Sequence, residues 1–217
     1  LLHKNTIAIL GIHTGIGKTI ASAVITEALN ADYWKPVQAG LEERDTALLE
    51  QLLTGGPQRV HEEALKLKLP MSPHAAAAAE GVTIDYTKFK WPETDKTLIV
   101  ETAGGILSPM SSETTMADFV SHYQLPAILV VQNYLGSINH TLMSLEVLKS
   151  RNIKLLGIVI NGEANESSES FIIKYSKVPV LTRIPLFAKL DNDAVAAHAA
   201  IIKNDLINEL RSSGFHF

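Results

Sequence analysis

Six short runs of β-branched and aliphatic residues alternate along this chain with longer segments of helical periodicity, and that alternation narrows the possible folds most. The strand-like runs are Thr6 to Leu10, Tyr33 to Val37, Thr97 to Val100, Ala127 to Val131, Leu156 to Ile160 and Val180 to Ile184. Helices are expected at Lys18 to Leu29, Asp45 to Leu53, Pro73 to Glu80, Glu113 to His122, Ser137 to Ser150, Glu166 to Tyr175 and Asn192 to Arg211. The strand runs are apolar at successive positions, so both of their faces must be covered. The expectation is an α/β fold, a mainly parallel sheet covered by helices on both faces, in a single domain over residues 1–217. A chain of that length can bury about 70% of its unfolded surface.

In such sheets ligands sit beyond the carboxyl ends of the strands. The chemically suggestive residues fall there. Gly11 to Thr19 follows the first strand, Lys35 lies at the end of the second, Glu101 follows the third, Gln132 to Asn139 the fourth and Asn161 the fifth. One crevice would collect them all.

Composition excludes several partners. A net charge of −4 with interspersed signs gives neither a basic field for nucleic acid nor a polybasic membrane patch. The longest apolar runs, AILVV and LLGIVI, are far too short to span a bilayer, and LLHKNTIAIL reads as a first strand rather than a signal peptide. With no cysteine there are no disulfides, thiolate metal sites or cysteine nucleophiles, which suits a cytoplasmic location. The eight histidines show no metal-binding spacing, and no Ser-His-Asp set is identifiable.

GIHTGIGKT, Gly11 to Thr19, has the composition of a phosphate-binding P-loop but five residues between Gly11 and Gly17, where the usual pattern has four. Gly15 and Gly17 let backbone N–H groups wrap a phosphate, Lys18 supplies charge, and the Thr19 hydroxyl can ligate Mg²⁺. The following helix adds its positive end. The extra residue changes how His13 and Thr14 face whatever lies beyond the terminal phosphate.

YWKPVQAG brings a second lysine, Lys35, which Pro36 biases towards an extended conformation. Lys35 reads either as a second cation facing the crevice or as a strand-end lysine snorkelling to solvent. LIVETAGG sets Glu101 after an apolar strand, where a carboxylate suits Mg²⁺. Asp45 in ERDTALL is a further metal candidate, although alone it reads first as a helix N-cap. SPHAAAAAEG looks architectural, with Ser72 as cap, Pro73 at the first helical position and His74 in a structural hydrogen bond.

Together these stretches resemble the dethiobiotin synthetase family. GIHTGIGKT is similar to its loop G-T-D-T-x-V-G-K-T, which carries the same extra residue. KPVQAG resembles K-P-V-x-S-G, ERDTALL the acidic helix start, SPHAAA the S-P-H-x-A-A segment and ETAGGILSP the E-G-A-G-G-x-x-x-P segment. QLPAILVVQNYLGSINHTL resembles a long motif ending in L-G-x-I-N-H-x-x-L, and GIVIN the strand ending in a purine-contacting Asn. The matches run in order along nearly the whole chain. His13 stands where the family commonly has Asp, Gly15 where some members have Glu, Ala39 where a substrate-facing Ser is common and Thr102 where Gly is usual. These departures bear on substrate affinity, carbamate contacts and nucleotide selectivity.

The resemblance implies a P-loop NTPase-like fold and an ATP- and Mg²⁺-dependent ligase that closes the ureido ring of dethiobiotin from diaminopelargonate and CO₂ or bicarbonate. It implies Lys18 on the β/γ-phosphates, Lys35 on the carbamate and γ-phosphate, and Thr14 near the reacting end. It gives Thr19, Asp45 and Glu101 to the metal, Gly15, Ile16, Gly17, Lys18 and Thr19 to the phosphates, and Asn161 and Pro185 to the base. Asp45 also falls among the nucleotide contacts, and Gly104 permits close approach of ligand. Ala39 belongs with the substrate contacts, as do Gly136, Ser137, Ile138 and Asn139, which in the family reach the substrate carboxylate across a homodimer interface. The competing readings are a related P-loop amidoligase and a partitioning-type ATPase switch. The latter normally has a signature lysine beside the first glycine, whereas Leu10 and Ile12 flank Gly11.

Overall fold

The computed structural model describes residues 5–217; residues 1–4, part of the segment read as leading into the first strand, lie outside that range. Nine strands and seven helices follow in the order β1 (Thr6–Gly11), α1 (Lys18–Ala28), β2 (Asp32–Trp34), β3 (Val37–Ala39), α2 (Asp45–Leu52), β4 (Val60–His61), β5 (Leu65–Leu67), α3 (Pro73–Ala79), β6 (Leu98–Glu101), α4 (Met116–His122), β7 (Ala127–Gln132), α5 (Ser137–Ser150), β8 (Leu155–Asn161), α6 (Glu166–Ser176), β9 (Val180–Ile184) and α7 (Asn192–Ser212). The main sheet has seven strands in the order β4-β2-β6-β1-β7-β8-β9, and β3 pairs with β5 in a separate ribbon. All of these pairings are parallel.

The connections from β1 and β2 run towards β4, whereas those from β6, β7 and β8 run the opposite way. Right-handed crossovers therefore place α1 and α2 on one face and α4, α5 and α6 on the other. α7 packs against α1 and completes the first layer. Every residue of β1 is buried, as are five of the six in β7, so the central strands carry the core. The direction changes beside β1, which puts the Gly11 to Thr19 loop at the topological switch point where such sheets bind ligands. Among the described residues, no helix is long and apolar enough to cross a membrane.

Three expectations need correction. The run Tyr33 to Val37 is not one strand: β2 stops at Trp34 and the chain leaves the main sheet at Lys35-Pro36. Pro36 has no N–H to donate to the ladder, and its carbonyl instead accepts from the Leu65 N–H at 2.9 Å, starting the β3-β5 ribbon. α4 begins at Met116 rather than Glu113, because Thr115 and Asp118 form a reciprocal capping box that fixes the start. Ser72 is the N-cap residue of α3 without a side-chain cap bond; its hydroxyl pairs with His74 Nδ1 at 3.0 Å.

Candidate active site

The loop after β1 turns into α1 through Gly17, whose φ of 80° is left-handed. A side chain there would also collide with Asn161, since a Cβ would lie 2.2 Å from Nδ2. That close approach has a purpose. Asn161, buried at the end of β8, donates Nδ2 to the Ile16 carbonyl at 2.9 Å and braces the loop from the neighbouring strand. Gly15 and Thr14 stay exposed at the crest.

Lys18 and Thr19 open α1 beneath the loop. Lys18 is buried, and its ammonium lies 3.4 Å from the His13 carbonyl. Burial draws its pKa below the ordinary range, and the nearby Lys35 charge adds to this while Glu101 and Asp45 oppose it. Thr19 Oγ1 meets Asp45 Oδ1 at 2.5 Å and Glu101 Oε1 at 3.1 Å. Asp45 therefore does not cap: Arg44 is the N-cap residue of α2, and the Asp45 carboxylate turns inward instead.

Lys35 resolves its two readings. Only 7% exposed in the break after β2, it cannot snorkel. Its ammonium pairs with Asp45 Oδ2 and lies 3.5 Å from Glu101 Oε1. Burial works against the charge, but the two carboxylates outweigh it and raise the Lys35 pKa above its usual value. Reciprocally, Lys35 leads the interactions that overcome burial and lower the pKa of Asp45.

Two ammonium groups thus face two carboxylates, a hydroxyl and the start of a helix. The oxygens of Thr19, Asp45 and Glu101 converge as a hard donor set of the kind that suits Mg²⁺ alongside phosphate oxygens and water. They do not form an all-protein metal cage: among the described residues, no group of three or more His, Cys, Asp or Glu could hold an ion.

Beside these groups is a cavity of about 460 Å³ lined by Thr14, Lys35, Ala39, Asp45 and Gly104, with Ser72 and Pro73 from the start of α3. The SPHAAA segment, read as architectural, forms a wall of this cavity. The Thr102 departure points elsewhere, its buried hydroxyl donating to the Ile9 carbonyl at 3.0 Å. Pro185 is exposed directly after β9, one residue beyond the register pair Asn161 and Ile184.

Gly136, Ile138 and Asn139 are not part of this cavity. They line a separate cleft of about 720 Å³ between the start of α5 and the loop before α6. Gly136 is the N-cap residue, Ser137 is buried with no partner for its hydroxyl among the described residues, and Asn139 is exposed. The two regions meet at His13, whose ring lies 6.1 Å from His140 and 6.3 Å from Tyr134. Sequence reasoning had no access to that cluster, nor to Tyr33, whose hydroxyl reaches Glu101 from the adjacent strand.

With this geometry in hand, a family model described as an AAA domain matches residues 5–194. An ATP-dependent dethiobiotin synthetase from Cytophaga hutchinsonii is 46% identical over 192 residues, covering 88% of this chain and 93% of the relative. The Brucella ovis protein of the same description is 42% identical over 207 residues, covering 95% and 97%. The chain belongs to the ATP-dependent dethiobiotin synthetases. Membership makes it an ATP-dependent ligase of biotin biosynthesis. A ParA family ATPase from Chlorobium tepidum superposes with a TM-score of 0.51 over 99% of this chain and 100% of the other, at 14% identity. A plasmid partition protein from Borrelia burgdorferi gives 0.54 at 10% identity over 96% and 98%. Those likenesses show the shared P-loop NTPase-like fold alone.

Proposed function

We propose that this chain joins diaminopelargonate and CO₂ at the charged crevice below the glycine loop, with Mg²⁺ as the companion of ATP. The observation carrying this reading is the convergence of Lys18, Lys35, Thr19, Asp45 and Glu101 at one helix start, beside a cavity that also contains Thr14 and Ala39.

Backbone N–H groups of residues 15–19 cradle the phosphates, and Lys18 neutralises the β/γ end. Thr19, Asp45 and Glu101 would hold Mg²⁺, which when bound would offset phosphate charge. A carbamate formed on one amine attacks the γ-phosphorus and releases ADP, leaving a carbamic-phosphoric anhydride. The second amine then attacks the carbonyl carbon, and phosphate departs as the ureido ring closes. The first step brings an anion towards a polyanion, so a fixed positive charge stabilises its transition state. Lys35, the second ammonium of the crevice, supplies that charge. Thr14 donates near the reacting end, Gly104 leaves room for the ligand, and Asn161 with the Pro185 loop contacts the base.

The substrate carboxylate binds at the start of α5, where free N–H groups favour an anion. Because Gly136 and Asn139 open onto a different cleft from the Lys35 cavity, they serve the site of a second subunit in a homodimer. Exposed Leu135 and Met143 beside them support a covered surface there.

The test supplies purified protein with ATP, Mg²⁺, bicarbonate and diaminopelargonate and follows product mass. Dethiobiotin formed with ADP and phosphate is expected. Folded, nucleotide-binding protein that made none would overturn the substrate assignment.

A further inference from the structure

Glu101 is 1% exposed, and its two carboxylate oxygens have different surroundings. Oε1 faces the crevice, 3.1 Å from Thr19 Oγ1 and 3.5 Å from Lys35 Nζ. Oε2 points into the sheet and accepts a hydrogen bond from the Tyr33 hydroxyl at 3.0 Å. Tyr33 lies on β2, registered opposite Ile99 of β6, and is completely buried. A phenol taken fully out of water needs a partner, and Glu101 provides it.

We infer that Tyr33 is a positioning residue for the metal site, its hydroxyl fixing the plane of the Glu101 carboxylate so that Oε1 alone is presented to the cation. This inference rests on the proposed reading of Glu101 as a Mg²⁺ ligand. Without the hydroxyl, Oε2 would be a buried acceptor with no donor, and the carboxylate would rotate to seek one. Rotation moves Oε1 away from Thr19. Outer partners of metal ligands act in this way, setting orientation as well as basicity.

The phenol is suited to the task because it remains a donor. Its O–H reaches Oε2 from a ring held completely inside the sheet on the neighbouring strand. A serine or threonine at this position of β2 would be too short to span the same gap, and phenylalanine fills the volume without the bond.

Four proteins test the inference: the unaltered chain, Y33F, E101Q and the double variant. Mn²⁺ binding in the presence of a non-hydrolysable ATP analogue is measured by electron paramagnetic resonance, and thermal melting is followed without metal. Y33F should weaken Mn²⁺ binding about 10-fold, the lower end of what losing an outer partner of a ligand costs, and E101Q should weaken it further. The double variant should be no weaker than E101Q, because Tyr33 acts only through Glu101. Y33F that bound Mn²⁺ like the unaltered chain while E101Q was weakened would overturn the role of Tyr33 and leave Glu101 as a ligand. E101Q with unchanged Mn²⁺ binding would overturn the ligand reading itself, and the inference with it.

Discussion

The crevice below the glycine loop and the start of α5 both end in a helix N-terminus preceded by a left-handed glycine, yet they are built differently. Gly17 is wedged against Asn161, and in the crevice beside it Lys35 is buried and paired with Asp45 and Glu101. Gly136 has nothing within 4 Å of where its Cβ would be, Leu135 before it is fully exposed, and Asn139 after it faces outward. On the proposed function the same local device would serve two purposes. Enclosed by lysines and carboxylates, a helix start would handle a polyanion and its reaction. Left open, it would take a simpler anion, with the second subunit closing over it.

The largest expected effect separates chemistry from binding. Lys35→Ala should lower turnover by roughly 10²–10³-fold, the usual loss when one preorganised charge is removed from a transition state. Nucleotide affinity should be unchanged, since the loop and Lys18 remain. Steady-state kinetics beside nucleotide titration makes the comparison, and near-normal turnover would remove Lys35 from the mechanism.

Paired glycine substitutions probe the same contrast from the backbone. Gly17→Ala should incur roughly 1–2 kcal/mol of left-handed strain together with the collision at Asn161, and should abolish nucleotide binding. Gly136→Ala should show only the strain, visible as a small drop in melting temperature, with nucleotide binding intact. Equal losses of nucleotide binding would break the comparison.

The smallest effect concerns the frame on the far side of the α5 start, where α6 meets the end of β7 and β9. Glu169 is buried against Arg183 and Asn133, and chiefly the Arg183 bond holds its pKa at about 2 against an ordinary 4.5. A carboxyl with a depressed folded pKa stabilises fully above its unfolded value and loses that contribution as pH falls through the folded one. Stability should therefore decline between about pH 4.5 and pH 2, and Glu169→Gln should flatten that part of the profile. At neutral pH the substitution should cost about 1 kcal/mol at most, because Arg183 is half exposed and solvent screens the pair. Chemical denaturation across pH measures both.

Much of this was legible in the sequence because burial on two faces leaves a local trace. β1, β7 and β8 could be read from nearly uninterrupted apolar runs, and the loop and Glu101 from their places at strand ends. β4 and β5, only two and three residues long and partly exposed, leave no such trace. The break at Lys35-Pro36 was hidden because a proline can sit within an extended run yet remove one ladder donor. Asp45 read locally as a cap, and only the fold shows its carboxylate directed to Thr19 and Lys35. Tyr33 and Glu101 stand 68 residues apart, and no local pattern joins them.

The division of labour between the enclosed crevice and the open helix start is tested most directly by mixing subunits. One variant carries Lys35→Ala, and the other carries Asn139→Asp, which places a negative charge where the substrate carboxylate would bind. Each homodimer should be inactive. In a mixed dimer of twofold symmetry both lesions fall in one site and the other is intact, so activity should return to about half that of the unaltered enzyme. Mixed dimers verified by mass that stayed inactive would show that Lys35 and Asn139 serve the same subunit's site, contradicting the account.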